Sequence, residues 1–247
     1  MERCVASILD QTYSHWELLI INDGSTEDIK THIKQYLCDP RVRYFRLAEN
    51  KGNNYASNFA LEKALKAGTD YITFLDDDDC FSKDCLRMAD SIIRENPTYN
   101  WFLSACVKKD GSKTKIKKYG RVDYVQDYFF GNKISGDATH FVNANRIGKV
   151  RFPVTVKNYN SELFFFELAK TEKIFVYDFT SKFVDYQPDG LTKEARVNRS
   201  KESWQISMRI CLESLHMHPL NFRIYRKMLL RTLEFVVSSY SRSFNKT

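Results

Sequence analysis

The sequence predicts an α/β fold: a doubly wound, mostly parallel sheet flanked by helices, with a helical extension at the C-terminus. Three observations predict it. Apolar runs of strand length alternate with segments of helical spacing over the first hundred residues. Two of those runs stop at turn-forming or acidic residues, Asn22-Asp23-Gly24-Ser25 and Asp76-Asp77-Asp78-Asp79, and in such sheets ligands bind beyond the carboxyl ends of the strands. After Ala195, the residues Phe222, Tyr225, Leu229, Leu233, Val236 and Tyr240 recur at helical spacing beside Arg223, Arg226, Lys227 and Arg231.

The elements follow in order. Residues 2–10 fit a short helix with Val5, Ile8 and Leu9 on one face. Trp16 to Ile21 is an apolar run closed by turn residues and reads as a buried strand. Thr26 can cap a helix over roughly 27–37, which Asp39-Pro40 ends. Val42 to Leu47 is a short strand. Asn54 to Lys66 is a helix ended by Gly68, and Tyr71 to Leu75 is a second buried strand ending in the acidic run. Residues 84–95 form a helix that stops before Pro97, and Trp101 to Val107 form a strand. The six lysines and Gly111 between Lys108 and Lys118 read as an exposed hairpin or loop. Residues 139–144 are expected as a strand, Leu163 to Ala169 as a helix, Ile174 to Tyr177 as a strand, and Gln187-Pro188-Asp189-Gly190 as a turn. Residues 1–194 are expected to form one domain, in halves 1–95 and 96–194, with 195–247 as the helical extension.

Composition narrows the classes. The chain has 247 residues, 43% of them hydrophobic, enough to form a sizeable core. The net charge of +7 permits attraction to anions without selecting one. No motif of stacked aromatic and basic residues accompanies that charge, so nucleic acid is not an expected partner. No run reaches the ~18 apolar residues of a membrane span, and Met1-Glu2-Arg3-Cys4 lacks the features of a secretory leader. The six cysteines contain no C-x-x-C pair and read as reduced thiols. A cytoplasmic protein is expected, with peripheral contact at the inner face of the membrane through the basic, apolar-striped C-terminal helices as a further option.

The acidic run carries the clearest chemistry. Adjacent carboxylates repel one another, which favours a bound cation. On an extended segment, alternate side chains share a face, so Asp76 and Asp78 would point one way and Asp77 and Asp79 the other. A D-x-D pair at a strand end suits Mg²⁺ or Mn²⁺, which take oxygen ligands and leave positions for a diphosphate.

Four blocks resemble family-two glycosyltransferases of the GT-A fold. Ser7-Ile8-Leu9-Asp10-Gln11-Thr12-Tyr13 resembles the family's S-I-L-x-Q-T-Y, and Ile21-Asn22-Asp23-Gly24-Ser25-Thr26 resembles its V-D-D-G-S-T. Asn50-Lys51-Gly52 with Ala56-Ser57-Asn58 resembles N-x-G…A-R-N, and Phe74-Leu75-Asp76-Asp77-Asp78-Asp79 resembles F-L-D-S-D-D. The resemblance covers residues 4–95 firmly and 96–190 loosely. It implies transfer of a sugar from a nucleotide donor, a UDP-sugar by preference, to a hydroxyl of a glycan or lipid-linked glycan, usually with inversion. Asp23, Lys51, Asn58, Asp76 and Asp77 would line the donor site, and Asp78 with Asp76 would hold Mn²⁺ or Mg²⁺. A bacterial surface polysaccharide is the family-level expectation for the product. Inversion needs a general base. The family often supplies it from an E-D pair opening a helix, where this chain has Asn160-Ser161 followed by Glu162. Glu162 is therefore the candidate base and Asp137 its rival.

Departures from the family pattern define what is unusual. The family's opening strand and loop, like V-S-I-I-I-P-T-Y-N, have no counterpart here, since the chain begins inside the following helix. Ser57 stands where the family often has Arg, and Gln187 stands for a His of the late H-P-G-S-L-T loop. Two other readings exist. One is a truncated, inactive transferase-like domain that binds sugar nucleotide or partners. The other is a phosphatase of the haloacid-dehalogenase type, whose D-x-D strand wants Thr or Val where this chain has Cys80.

Overall fold

A computed structural model of the chain describes residues 1–156, 161–185 and 201–244. It is built from ten strands and eight α-helices among those residues. The first helix, α1 (Glu2–Leu9), buries Cys4, Val5 and Ile8. Gln11, just past its end, ties three segments together. Its amide donates to the carbonyls of Ser7 (2.9 Å) and Ser82 (2.7 Å), and its carbonyl oxygen accepts the Leu86 N–H at 2.9 Å.

Strands β1 (Leu18–Asn22) and β2 (Val42–Arg46) form a separate parallel pair, Leu18 opposite Val42. The helix expected between them is broken. A short α2 (Ile29–His32) passes into a 3₁₀ turn (Lys34–Cys38), which buries Ile33. Helix α3 (Asn53–Ala67) ends at Gly68 in the left-handed conformation, as a residue without a Cβ allows.

The main sheet runs β3 (Tyr71–Ile72), β9 (Ala138–Asn143), β5 (Trp101–Lys108), β10 (Ile174–Val184), β4 (Cys80–Phe81), with β7 (Gly120–Val122) also on β10. Strand β5 is central: Trp101, Phe102 and Leu103 are fully buried, as an apolar run covered on both faces should be. A small hairpin-like pair, β6 (Lys115–Ile116) with β8 (Ile134–Ser135), lies beside it. The α/β class is as expected, but the strand directions are mixed. Among the described residues, β1 with β2 and β5 with β10 are parallel, and the other five pairings are antiparallel. Helix α4 (Cys85–Glu95) carries the chain back after β4. From β5 onward, the return to β9 passes through short strands and a π-helical turn (Tyr124–Phe129) rather than a crossover helix, so antiparallel pairing follows.

The strand expected over 71–75 pairs only at Tyr71 and Ile72. Among the described residues, 73–75 have no strand partner, and a cavity lies beside them. Of about 1020 Å³, it lies between the open edges of β1 and β3 and is lined by Leu18, Ile21, Ile72, Leu75 and Phe81. This is where the sheet has no strand, and its apolar walls are those a strand would cover. Thr73 Oγ1 and Trp16 Nε1, both on its lining residues, are buried without a hydrogen-bond partner among the described residues.

After a short α5 (Ala144–Ile147), helix α6 (Ser161–Ala169) buries Leu163, Phe164 and Phe166. Phe164 stacks on Phe152 at 4.2 Å. The extension is two helices, α7 (Lys201–Met217) and α8 (Phe222–Phe244). Ile206, Ile210, Cys211 and Ile224 join the main core, and Arg209 bridges Glu167 of α6 at 2.7 Å. The boundary expected at 194/195, the turn at Gln187 and the Asn158–Asn160 stretch lie outside the described residues. All six cysteines are free thiols.

Candidate functional site

The loop after β1 is held by its own polar side chains. Asn22 donates to Tyr44 Oη (2.8 Å) and accepts the Ser25 N–H (2.8 Å). Gly24, at φ +68°, lets this loop lie against 49–50; a Cβ there would meet the Glu49 carbonyl carbon at 2.5 Å. Asp23 then reaches across to the start of α3. Its two oxygens accept the N–H groups of Lys51 (2.9 Å) and Gly52 (2.7 Å), so its carboxylate sits at the helix N-terminus, where the dipole favours negative charge. Lys51 pairs with Glu49 at 3.3 Å and lies over the Tyr55 ring. Asn58 faces elsewhere. Its amide donates to the Phe152 carbonyl and accepts the Phe152 N–H, each at 2.9 Å. Asn54, one turn earlier, donates to the Pro153 and Val156 carbonyls. Together they clamp the 152–156 loop, a role that sequence reasoning missed.

The acidic run is a turn, not an extended segment. Asp79 N–H donates to the Asp76 carbonyl at 3.1 Å, and the alternation of faces expected from an extended chain is lost. Asp76 and Asp77 are exposed, Asp78 is half-buried and Asp79 is buried. Asp79 is drawn inward by Lys182 of β10, with Nζ to Oδ2 at 2.6 Å, and it also accepts the Asp185 N–H at 3.3 Å. Asp185 in turn binds Arg3 at 2.7 Å. The turn is thus pinned at its C-terminal end, leaving Asp76, Asp77 and Asp78 at the rim.

Crowding shapes the electrostatics there. Asp76 is exposed as a residue, but burial of its carboxyl against the surrounding protein pushes it up, Lys182 opposes the rise, and Asp79, Asp77 and Asp137 add to it. Burial, then Asp79, Asp76 and Asp77, push Asp78 up as well. A divalent cation relieves such repulsion. Among the described residues no group of three His, Cys, Asp or Glu side chains converges as a closed metal site. The two raised carboxylates fit Mg²⁺ or Mn²⁺, which keep waters and take phosphate oxygens as further ligands.

Asp137 follows Gly136, at φ +100°, and lies 3.7 Å from the Lys108 ammonium. Its charge reaches both Asp76 and Tyr128. Glu162 is in the first turn of α6, and its charge also acts on Tyr128, on Tyr124 and on Lys227. The acidic turn, Asp137, Tyr128 and Glu162 therefore form one electrostatically linked region. Asp137 is the carboxylate that couples to the acidic turn. Burial raises both tyrosine hydroxyls and pushes His140 down to about 3. His140 is thus a neutral ring that accepts the Trp101 Nε1–H at 3.0 Å and stacks on Phe165 at 4.2 Å. Lys182, Tyr128 and Lys227 belong to this region without any local sequence signal, since each arrives from a distant element.

Comparison with known proteins places these features. The profile described as Glycosyl transferase family 2 matches residues 1–151. A putative teichuronic acid biosynthesis glycosyltransferase, TuaG of Bacillus subtilis, is 29% identical over 155 residues, covering 62% of this chain and 60% of the relative. An uncharacterised glycosyltransferase of Rickettsia bellii is 39% identical over 92 residues, 37% of this chain and 13% of the relative. The chain thus spans less than two thirds of these relatives' lengths. Among solved structures, residues 1–349 of S. aureus TarS superpose with a TM-score of 0.71 at 18% identity, covering 95% of this chain and 68% of that one. The same fragment in complex with UDP gives a TM-score of 0.68 at 17% identity, covering 87% and 61%. These likenesses show the GT-A fold.

Proposed function

Because the chain belongs to glycosyltransferase family 2, we propose that it moves a sugar from a UDP-sugar to a hydroxyl of a glycan or lipid-linked glycan, with inversion, in the synthesis of a bacterial surface polymer. The observation that carries this reading is the acidic turn. Lys182 withdraws Asp79 and leaves Asp76 and Asp78 as two crowded, raised carboxylates at the rim. UDP as the donor nucleotide is supported by the fold shared with a TarS fragment that binds it. The polymer class is supported by the teichuronic acid relative.

Asp76 and Asp78 would hold Mn²⁺ or Mg²⁺. When bound, the ion supplies charge neutralisation for a departing diphosphate. The rest is the work of side chains. Asp23 orders the 51–52 backbone at the donor side, and Asp77 and Lys51 border it. Asn58 contributes by fixing the 152–156 loop. Glu162, or Asp137 in its place, takes the proton from the acceptor hydroxyl. The new bond forms from that oxygen to the anomeric carbon, and the old carbon–oxygen bond breaks with its electron pair leaving on the diphosphate. Such positioned proton transfer is worth roughly 10²–10⁴ in rate. Residues 1–194 act as the transferase unit and 195–247 as its helical extension. The reaction takes place at the cytoplasmic side of the membrane, with peripheral contact. Among the described residues no helix is long and apolar enough to cross a membrane.

Release of UDP from a panel of UDP-sugars with Mn²⁺ tests the proposal, using Glu162→Gln and Asp137→Asn. One of the two variants should lose turnover while still binding UDP. Full turnover in both would remove both candidates for the base. Phosphate release from a simple ester without any sugar nucleotide would favour the phosphatase reading.

A further inference from the structure

Helix α8 has two apolar faces, and among the described residues only one is packed against the rest of the chain. Its inner face is buried through Ile224 and stacks Phe235 on Trp204 at 5.2 Å. The outer face carries Phe222, Tyr225, Leu229, Leu233 and Val237 in the open, with Phe222 86%, Leu229 61% and Val237 67% exposed. At 100° per residue these side chains fall within one arc of the helix. A single exposed leucine is ordinary, but five exposed apolar side chains along one arc of a helix mark an interaction surface.

The charges beside the stripe choose the partner. Arg223 and Arg226 are exposed; at 100° per residue Arg223 borders the stripe and Arg226 stands within its arc, between Leu233 and Val237. Over residues 222–244 the sequence has five basic residues and one acid, Glu234, and that acid contacts Arg231 at 3.5 Å. A second copy of the helix laid parallel on this face would bring these arginines together. An anionic surface would match them. With 23 residues, α8 is about 35 Å long. It is too polar to cross a bilayer, so a helix of this kind lies in the interface.

We propose that the outer face of α8 is a docking surface for an anionic lipid bilayer. Phe222, Leu229, Leu233 and Val237 enter the headgroup boundary, and Arg223 and Arg226 meet lipid phosphates. The placement suits a lipid-linked acceptor, since α8 also touches the acceptor side. Lys227 donates to the Phe129 carbonyl at 3.2 Å, beside Tyr128 and within reach of the Glu162 charge. The docking surface stands on the exposed stripe and its arginines and does not require the transferase reading to hold.

The test is sedimentation of the full chain with phosphatidylcholine vesicles, with and without phosphatidylglycerol. The protein should pellet with the anionic vesicles and be released by salt. Leu229→Ser/Leu233→Ser should weaken binding by at least about tenfold, and Arg223→Gln/Arg226→Gln by about tenfold or more. Both pairs are exposed, so the thermal unfolding midpoint should stay unchanged. Equal binding to neutral and anionic vesicles would overturn the proposal, as would binding that neither variant weakens. A dimer in light scattering that Leu229→Ser/Leu233→Ser dissociates would assign the stripe to a second copy instead.

Discussion

Replacing Lys182 by methionine removes the buried partner that holds the acidic turn. The ammonium is 2.6 Å from Asp79, and the two side chains are only 10% and 4% exposed. Asp79 would keep the Asp185 N–H at 3.3 Å but would stay buried without a counter-charge. Breaking such a pair from one side costs about 3–5 kcal/mol, a large part of the ~5–15 kcal/mol that holds a typical domain. At a urea slope of about 2–3 kcal/mol/M the midpoint should fall by roughly 1–2.5 M. The measurement is urea unfolding followed by tryptophan fluorescence. The double variant Lys182→Met/Asp79→Leu should recover most of the loss, since an apolar pair of similar volume needs no compensation. Burial works against the Lys182 charge, but Asp79, Cys106 and Asp76 outweigh it and raise its pKa above 10.5. The stabilisation is therefore fully present below pH 10.5 and is lost as pH rises through the folded value. A loss under about 1 kcal/mol in Lys182→Met, or a double variant no better than the single one, would refute this account of the turn.

Other expectations follow from the same geometry. Gly24→Ala places a Cβ at φ +68° and 2.5 Å from backbone, so it should destabilise by about 1–3 kcal/mol and weaken UDP binding, both measurable by thermal shift. Asn58→Ala removes both bonds to Phe152 and should cost about 1–3 kcal/mol, read by denaturant unfolding. Burial pushes Lys227 down to about 8. The unfolded chain then binds more protons between pH 8 and 10.5, and stability from this residue rises with pH across that window. Lys227→Met should abolish that rise, as a series of urea midpoints against pH would record.

Much of the fold could be read from residue patterns because the signals were local. Apolar runs bounded by Asn22 to Ser25 and by Asp76 to Asp79 placed β1 and the acidic turn, and Gly68 ended α3 where its missing Cβ allows a left-handed residue. The errors were non-local. Strand direction depends on how the chain returns from β5 to β9, which no single segment records. Residues 73–75 read as strand but meet the cavity rather than a partner. The acidic run has the pattern of an extended segment, and the contact that overrides it comes from Lys182, which lies more than a hundred residues away in the sequence and turns Asp79 inward. Asn58 lay in a recognisable motif, yet its amide is committed to Phe152, a contact set by tertiary packing. Tyr128 and Lys227 gave no warning, since an aromatic in an irregular turn and a lysine on a helix are ordinary in isolation.

The central claim is that Asp76 and Asp78 form a cation-dependent donor site. Calorimetric titration of the full chain with UDP, with and without Mn²⁺, tests it most directly when repeated on Asp78→Ala. The account predicts UDP binding that needs Mn²⁺ and that Asp78→Ala lowers by about tenfold or more, with the fold intact by circular dichroism. UDP binding of equal strength with and without Mn²⁺, unchanged in Asp78→Ala, would contradict it.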